Sequence, residues 1–134
     1  MNMNPVVHFE FPGDDMERMK KFYASAFGWR LQEMGGDFNN YVVAQTDETD
    51  EKGMLKKTNR INGGFYNRKG GNILTPGPSV VMGVEDINAA ITRINANGGK
   101  VLSEVVEIPT IGKYATFEDT EGNRLSILEP ANPM

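Results

Sequence analysis

The chain contains no cysteine, one histidine and one tryptophan in 134 residues. Without cysteine there is no disulfide framework, no zinc–thiolate site and no thiol nucleophile. That usage agrees with a cytoplasmic location. No apolar run approaches the roughly 18 residues of a membrane span, and no signal-peptide pattern precedes the first predicted strand. A membrane is therefore not among the expected partners. The formal charge is −4, and the 14 Lys and Arg are scattered rather than striped, so no basic footprint for nucleic acid is present. Also missing are a phosphate-binding glycine loop ending in Lys-Ser/Thr, a His-Glu-x-x-His helix and a Gly-x-Ser-x-Gly elbow. What remains is a length and an apolar fraction (39%) that suit one soluble globular domain with a core.

The strongest local signal is 112–130, GKYATFEDTEGNRLSILEP. Aromatic and β-branched residues flank a short polar turn, which predicts a hairpin of strands Lys113–Asp119 and Asn123–Glu129. Gly122 supplies the positive φ that such a turn needs. Alternation places Leu125, Ile127 and Glu129 on one face of the second strand. A glutamate closing an apolar face is either a rim residue or a group aimed into a cavity.

Residues 5–11, PVVHFEF, alternate as a strand with Val7, Phe9 and Phe11 on one face and Val6, His8 and Glu10 on the other. Pro12-Gly13 is expected to break it. Asp14, three residues before Glu17, reads as a capping-box start. Met16, Met19, Phe22, Tyr23, Ala26 and Phe27 then form one apolar helical stripe that ends at Gly28. Trp29–Met34 and Tyr41–Gln45 read as strands around Gly35-Gly36-Asp37. Residues 46–60 are polar and aperiodic, a solvated loop, with a lid over a pocket as the sharper alternative. In Ile61–Asn67, INGGFYN, the glycine pair predicts a bulge or a place where a ligand approaches the backbone. Residues 69–78 carry the glycine and proline of a linker.

The pattern then restarts. Ser79–Val84 is a strand and Asp86 an N-cap, and Ile87, Ala90, Ile91 and Ile94 are the buried stripe of a second helix. Gly98-Gly99 ends that helix, and Lys100–Ser103 is a short strand. Asp15 to Gly28 and Asp86 to Gly99 span equal lengths, so the halves superpose at an offset of 71 (86 minus 15). That offset sets His8 against Ser79, Phe11 against Met82 and Leu31 against Leu102. A duplicated strand–helix–three-strand module follows.

His8 has two readings, a hydrogen-bonded structural histidine or a metal-binding or proton-transfer group. Glu129 is the candidate second ligand or general base. A metal held by those two alone would be weak, because catalytic metals take three or more protein ligands.

A histidine on strand one, the helix end FYASAFGW, the segment VEDINAAITRINANGGKVL and the closing hairpin together resemble the vicinal oxygen chelate superfamily of glyoxalase, bleomycin-resistance and dioxygenase-like proteins. The resemblance spans about residues 5–130. It implies an α+β fold of two βαβββ modules forming curved mixed sheets around a cleft, here about 5–67 and 79–130 joined by 68–78 within a single 1–134 domain. It also implies a homodimer and a small-molecule ligand. In metal-dependent members, four side chains from four strands hold a divalent ion. Carried over, two of those positions fall on His8 and Glu129. The third falls near Ser79 and the fourth within Asn62–Tyr66, where no His, Asp or Glu stands. The implied cofactor is thus a divalent metal whose shell is half missing, which points to none being tightly held.

Three readings follow from that departure. The first is a lyase/isomerase-like enzyme using His8 and Glu129 as metal-free acid/base groups on a small oxygenated metabolite. The second is a non-catalytic protein that sequesters an antibiotic-like ligand. The third is a metal completed by water or a partner's side chain. In this fold Phe65, Tyr66, Tyr114 and Phe117 would line or flank the cavity. Tyr66 and Tyr114 are the stronger substrate-binding candidates, since a phenol keeps a polar handle in an apolar pocket.

Overall fold

The computed structural model describes residues 2–35, 40–68 and 77–132. The expected turn at Gly36-Asp37 and most of the expected linker (69–76) lie outside these. The elements run β1 (Val6–Gly13), α1 (Met16–Phe27), β2 (Arg30–Glu33), β3 (Val42–Gln45), β4 (Asn62–Asn67), β5 (Ser79–Gly83), α2 (Ile87–Ala96), β6 (Lys100–Val101), β7 (Val106–Ile108), β8 (Gly112–Glu118) and β9 (Arg124–Pro130). This is the expected α+β class. The chain forms two compact units, His8–Pro78, and Ser79–Met134 with Met1–Val7.

In the leading unit the strands lie in the order β2-β3-β4-β1, antiparallel except for the β1/β4 pair, which is parallel. In the trailing unit the order is β6-β8-β9-β5, again with a parallel closing pair, β5/β9. Strand order and pairing sense are therefore repeated. The three-residue β7 pairs β8 and has no counterpart strand among the described residues; it is too short for alternation to reveal.

Local chemistry sets both helices. Asp15 caps α1 by accepting from the Arg18 N–H, and Asp86 caps α2 by accepting from the Ala89 N–H, 71 residues on. The α1 cap is thus Asp15, not Asp14; Asp14 stands 3.6 Å from the Arg68 guanidinium instead. Gly28 ends α1 at φ 72°, in the left-handed region that glycine enters without a Cβ clash. Pro12-Gly13 does not break β1. The strand runs through both residues, with Gly13 carbonyl accepting from the Arg68 N–H, because a proline at a strand end gives up only one ladder donor.

Each unit has its own core on the face of its sheet that carries the helix. In the leading unit Val42, Ala44 and Phe65 are buried, with Phe9, Phe11, Met16, Met19, Tyr23, Trp29 and Leu31 packed against them. Tyr23 stacks on Trp29 at 4.9 Å, and Phe11 meets Phe65 edge-on at 5.5 Å. The predicted α1 stripe is wider than what is buried: Phe22 and Phe27 stay 56% and 62% exposed. In the trailing unit Val84, Ile87, Ala90, Ala115, Phe117 and Ile127 are buried, with Val101 against them. Val101, not Leu102, is therefore the counterpart of Leu31, because the repeat loses one residue after the helix.

Paired registers extend the equivalence to the remaining strands. Val42 opposes Phe65 as Ala115 opposes Ile127, so the offset is 73 over β3/β8 and 62 over β4/β9. The difference sits in connections, 46–61 in one unit and the turn 119–123 in the other. The first of these is not a bare solvated loop. Arg60 pairs with Asp47 at 2.6 Å, the Thr46 hydroxyl donates to Ile61 carbonyl, and Asp50 accepts from the Lys52 and Met54 amides. The Glu48 N–H, then Arg60, hold the Asp47 carboxyl below its ordinary range.

Candidate functional site

The candidate residues follow from which sheet face each strand presents. In β1, Phe9 and Phe11 pack toward α1, so His8 and Glu10 lie on the face without a helix. Parallel pairing puts Asn62, Gly64 and Tyr66 of β4 on that same helix-free face. His8 is half-buried, and its Nδ1 stands 2.9 Å from Asn62 carbonyl oxygen. A carbonyl only accepts, so Nδ1 carries the proton, and in the neutral ring Nε2 keeps its lone pair. The imidazole is thereby fixed in one tautomer, with a basic nitrogen directed away from the bonded edge.

Two residues along, Glu10 is 7% exposed and accepts a hydrogen bond at 3.1 Å from the Tyr41 hydroxyl. Tyr41 precedes β3, and its ring crosses β4 over Gly64, where a Cβ would collide with the phenol. On the opposite face a Cβ on Gly63 would meet the Phe9 ring at 2.5 Å. The Gly-Gly pair is therefore not a bulge, since its register with β1 and β3 is unbroken. The groups approaching this backbone are the protein's own aromatic rings. Glu10 and Tyr41 were missed because an isolated glutamate and a tyrosine 31 residues apart carry no local signal.

The trailing unit repeats this face with different chemistry. The registers make Ser79 the counterpart of His8, Val81 of Glu10, Tyr114 of Tyr41, Thr116 of Val43 and Ser126 of Gly64. The Tyr114 hydroxyl meets Ser126 Oγ at 2.6 Å, the serine standing where the leading unit has Gly64.

Glu129 lies on the other face. It shares β9 parity with Leu125 and Ile127, which pack beneath α2, and its Oε1 accepts from the Ile87 N–H at 3.0 Å. Its other oxygen stands 3.9 Å from Lys113 Nζ. The carboxylate thus clips the start of α2 to the sheet, where a negative charge suits the helix N-terminus. His8 and Glu129 occupy unlike faces of their own units.

The other candidates are placed as follows. Phe65, 1% exposed, is taken up by the core. Tyr66 is half-buried on the helix-free face and donates to Gly77 carbonyl at 3.2 Å. A divalent metal of the kind the fold implies does not fit this donor set. Glu129 is committed to α2, Ser79 and Asn62–Tyr66 offer no charged or imidazole ligand, and no cluster of three His, Asp or Glu occurs among the described residues. No helix among them is long and apolar enough to cross a membrane.

Comparison with known proteins agrees with the repeated βαβββ units. The chain is 31% identical over 127 residues to a glyoxylase-like domain-containing protein of Didymella fabae, covering 88% of each. It resembles a Streptomyces coelicolor methylmalonyl-CoA epimerase in complex with 2-nitronate-propionyl-CoA (TM-score 0.71, 14% identity, 98% and 100% of the two chains). It also resembles a superfamily member from Vibrio splendidus (TM-score 0.58, 15% identity, 95% and 99%). These structural likenesses show the fold alone. With its profile matching residues 6–127, the chain belongs to the Glyoxalase/Bleomycin resistance protein/Dioxygenase superfamily.

Proposed function

We propose that the chain is an isomerase- or lyase-like enzyme acting on a small oxygenated molecule, with His8 as its proton-transfer group. The observation that carries this is the Nδ1–Asn62 bond, which leaves Nε2 as a base on the helix-free face. A base so oriented can remove a proton from carbon next to a carbonyl and return it at another position or face, with no metal step required of the residues present. Tyr66, on the same helix-free face of the leading unit, is the substrate-contacting residue of this reading; Phe65 and Glu129 are not part of its chemistry. A homodimer belongs to the reading as well, supported by the two exposed phenylalanines of α1, and sedimentation at micromolar concentration checks it.

The test is proton exchange in D2O, followed by NMR across small carbonyl compounds that include acyl-CoA thioesters, the ligand class in the Streptomyces coelicolor complex. Wild type should exchange at least one class, and His8→Ala should slow it by about 10²- to 10⁴-fold. No exchange, or exchange indifferent to His8, overturns the enzyme. Saturable binding of aromatic ligands without turnover would then make the protein a sequestering one.

A further inference from the structure

Asparagine followed by glycine occurs twice in the chain, at Asn62-Gly63 and Asn97-Gly98. The pair is reactive because glycine has no side chain to shield its amide nitrogen, which can attack the carboxamide carbon of the asparagine before it. The fold separates the two. Asn62-Gly63 lies inside β4, with Gly63 buried and in register with Phe9 on one side and Ala44 on the other. The Asn62 side-chain oxygen accepts from the Thr46 N–H at 2.9 Å. The carboxamide and the Gly63 amide cannot turn toward each other without opening the sheet.

Asn97-Gly98 has no such protection. Asn97 closes α2, residues 95–98 are exposed, and the Gly98 N–H has no hydrogen-bond partner among the described residues. One side-chain bond, from Asn97 Nδ2 to the Arg93 carbonyl at 2.8 Å, holds the carboxamide along the last helical turn. Helix ends fray, and an exposed end opens far more readily than a core strand. Fraying breaks that single bond and lets the Asn97 backbone rotate until the Gly98 nitrogen faces the carboxamide.

We infer that Asn97 is a site of spontaneous covalent modification whose product loosens the corner between α2 and β6. The Gly98 nitrogen bonds to Asn97 Cγ and gives its proton to solvent, while the Cγ–Nδ2 bond breaks and the nitrogen leaves as ammonia. Water then opens the five-membered imide at either carbonyl, giving aspartate or isoaspartate. Both products lose the Nδ2 donor to Arg93 and put a negative charge at the C-terminal end of α2, where the helix dipole disfavours it. Isoaspartate also adds one carbon to the main chain just before Gly99. That glycine is closely packed: a Cβ on it would stand 2.8 Å from Ile94 Cγ2 and 3.0 Å from the Glu118 carbonyl oxygen. Nothing in this chemistry depends on His8.

The test is peptide mapping by mass spectrometry of the full chain, incubated for weeks at mildly alkaline pH and physiological temperature. In folded wild type the peptide holding Asn97 should gain one mass unit at least tenfold faster than the peptide holding Asn62, with isoaspartate the larger product. In urea the two rates should converge, because the sheet no longer protects Asn62. Aged wild type should melt at a lower temperature than fresh protein, whereas Asn97→Gln should stay unmodified at that position and hold its Tm. Equal rates at the two sites in the folded chain, or no modification of Asn97, overturn the site. An unchanged Tm in fully modified protein overturns the loosening of the corner.

Discussion

The Tyr41 hydroxyl reaches Glu10 across β4 at 3.1 Å, over a residue that has no side chain, Gly64. Gly64→Ala should therefore destabilise the fold by about 1–3 kcal/mol through overpacking, read as a lower urea midpoint at unchanged m-value. In a Tyr41→Ala background most of that cost should vanish. Equal costs in both backgrounds would mean that the ring does not lie over Gly64.

Glu129 is expected to behave as a helix clip. Glu129→Ala should cost about 1–2 kcal/mol, the range for losing a helix-terminus acceptor. Lys113→Ala should cost under about 1 kcal/mol, because its pair is long and partly exposed. Mn, Co, Ni and Zn titrations should give the same affinity in Glu129→Ala as in wild type. A specific loss of metal in that variant would restore Glu129 to a metal shell.

In its neutral form the His8 ring should show the Nδ1–H tautomer in long-range ¹H–¹⁵N correlation spectra. Finding Nε2–H as the neutral form would break the link between the Asn62 carbonyl and a basic Nε2.

Asp119 holds the β8–β9 turn. Its Oδ1 accepts from the Glu121 and Asn123 amides, and its Oδ2 accepts from the Asn123 side chain. The Asn123 side-chain bond, then the backbone amides, lower its carboxyl below the ordinary value. A depressed carboxylate contributes stability that is fully present above its unfolded pKa and is lost as pH falls through the folded one. Wild type should therefore lose more stability than Asp119→Asn as pH drops below about 4, by thermal melts across that range. Parallel losses in the two proteins would remove Asp119 from the turn's acid sensitivity.

What was legible in the chain was local. Asp86, Gly28 and Gly122 declare themselves through the conformations they permit, and alternation placed His8 opposite the packed face of β1. The rest depended on partners far away in sequence. Gly63 and Gly64 read as a bulge or a point of ligand approach because the rings beside them come from Phe9 and Tyr41. The parity of Glu129 was readable, but which face of β9 lies under α2 was not, since Ile87 is 42 residues distant. Phe22 and Phe27 continue a helical stripe by spacing, yet the sheet beneath α1 takes up only part of it.

The two units close equivalent hairpins with very different lengths of chain. From Ala44 opposite Gly63 and from Phe117 opposite Leu125 the ladders match residue for residue, but 46–61 takes 16 residues where 119–123 takes five. Eleven residues are thus appended to a hairpin that the same architecture can close without them. Segment 46–61 is therefore a graft point: sequence can be removed or inserted there without turning any strand residue to the opposite face, which leaves this connection open to acquire a new binding specificity while the sheet stays unchanged.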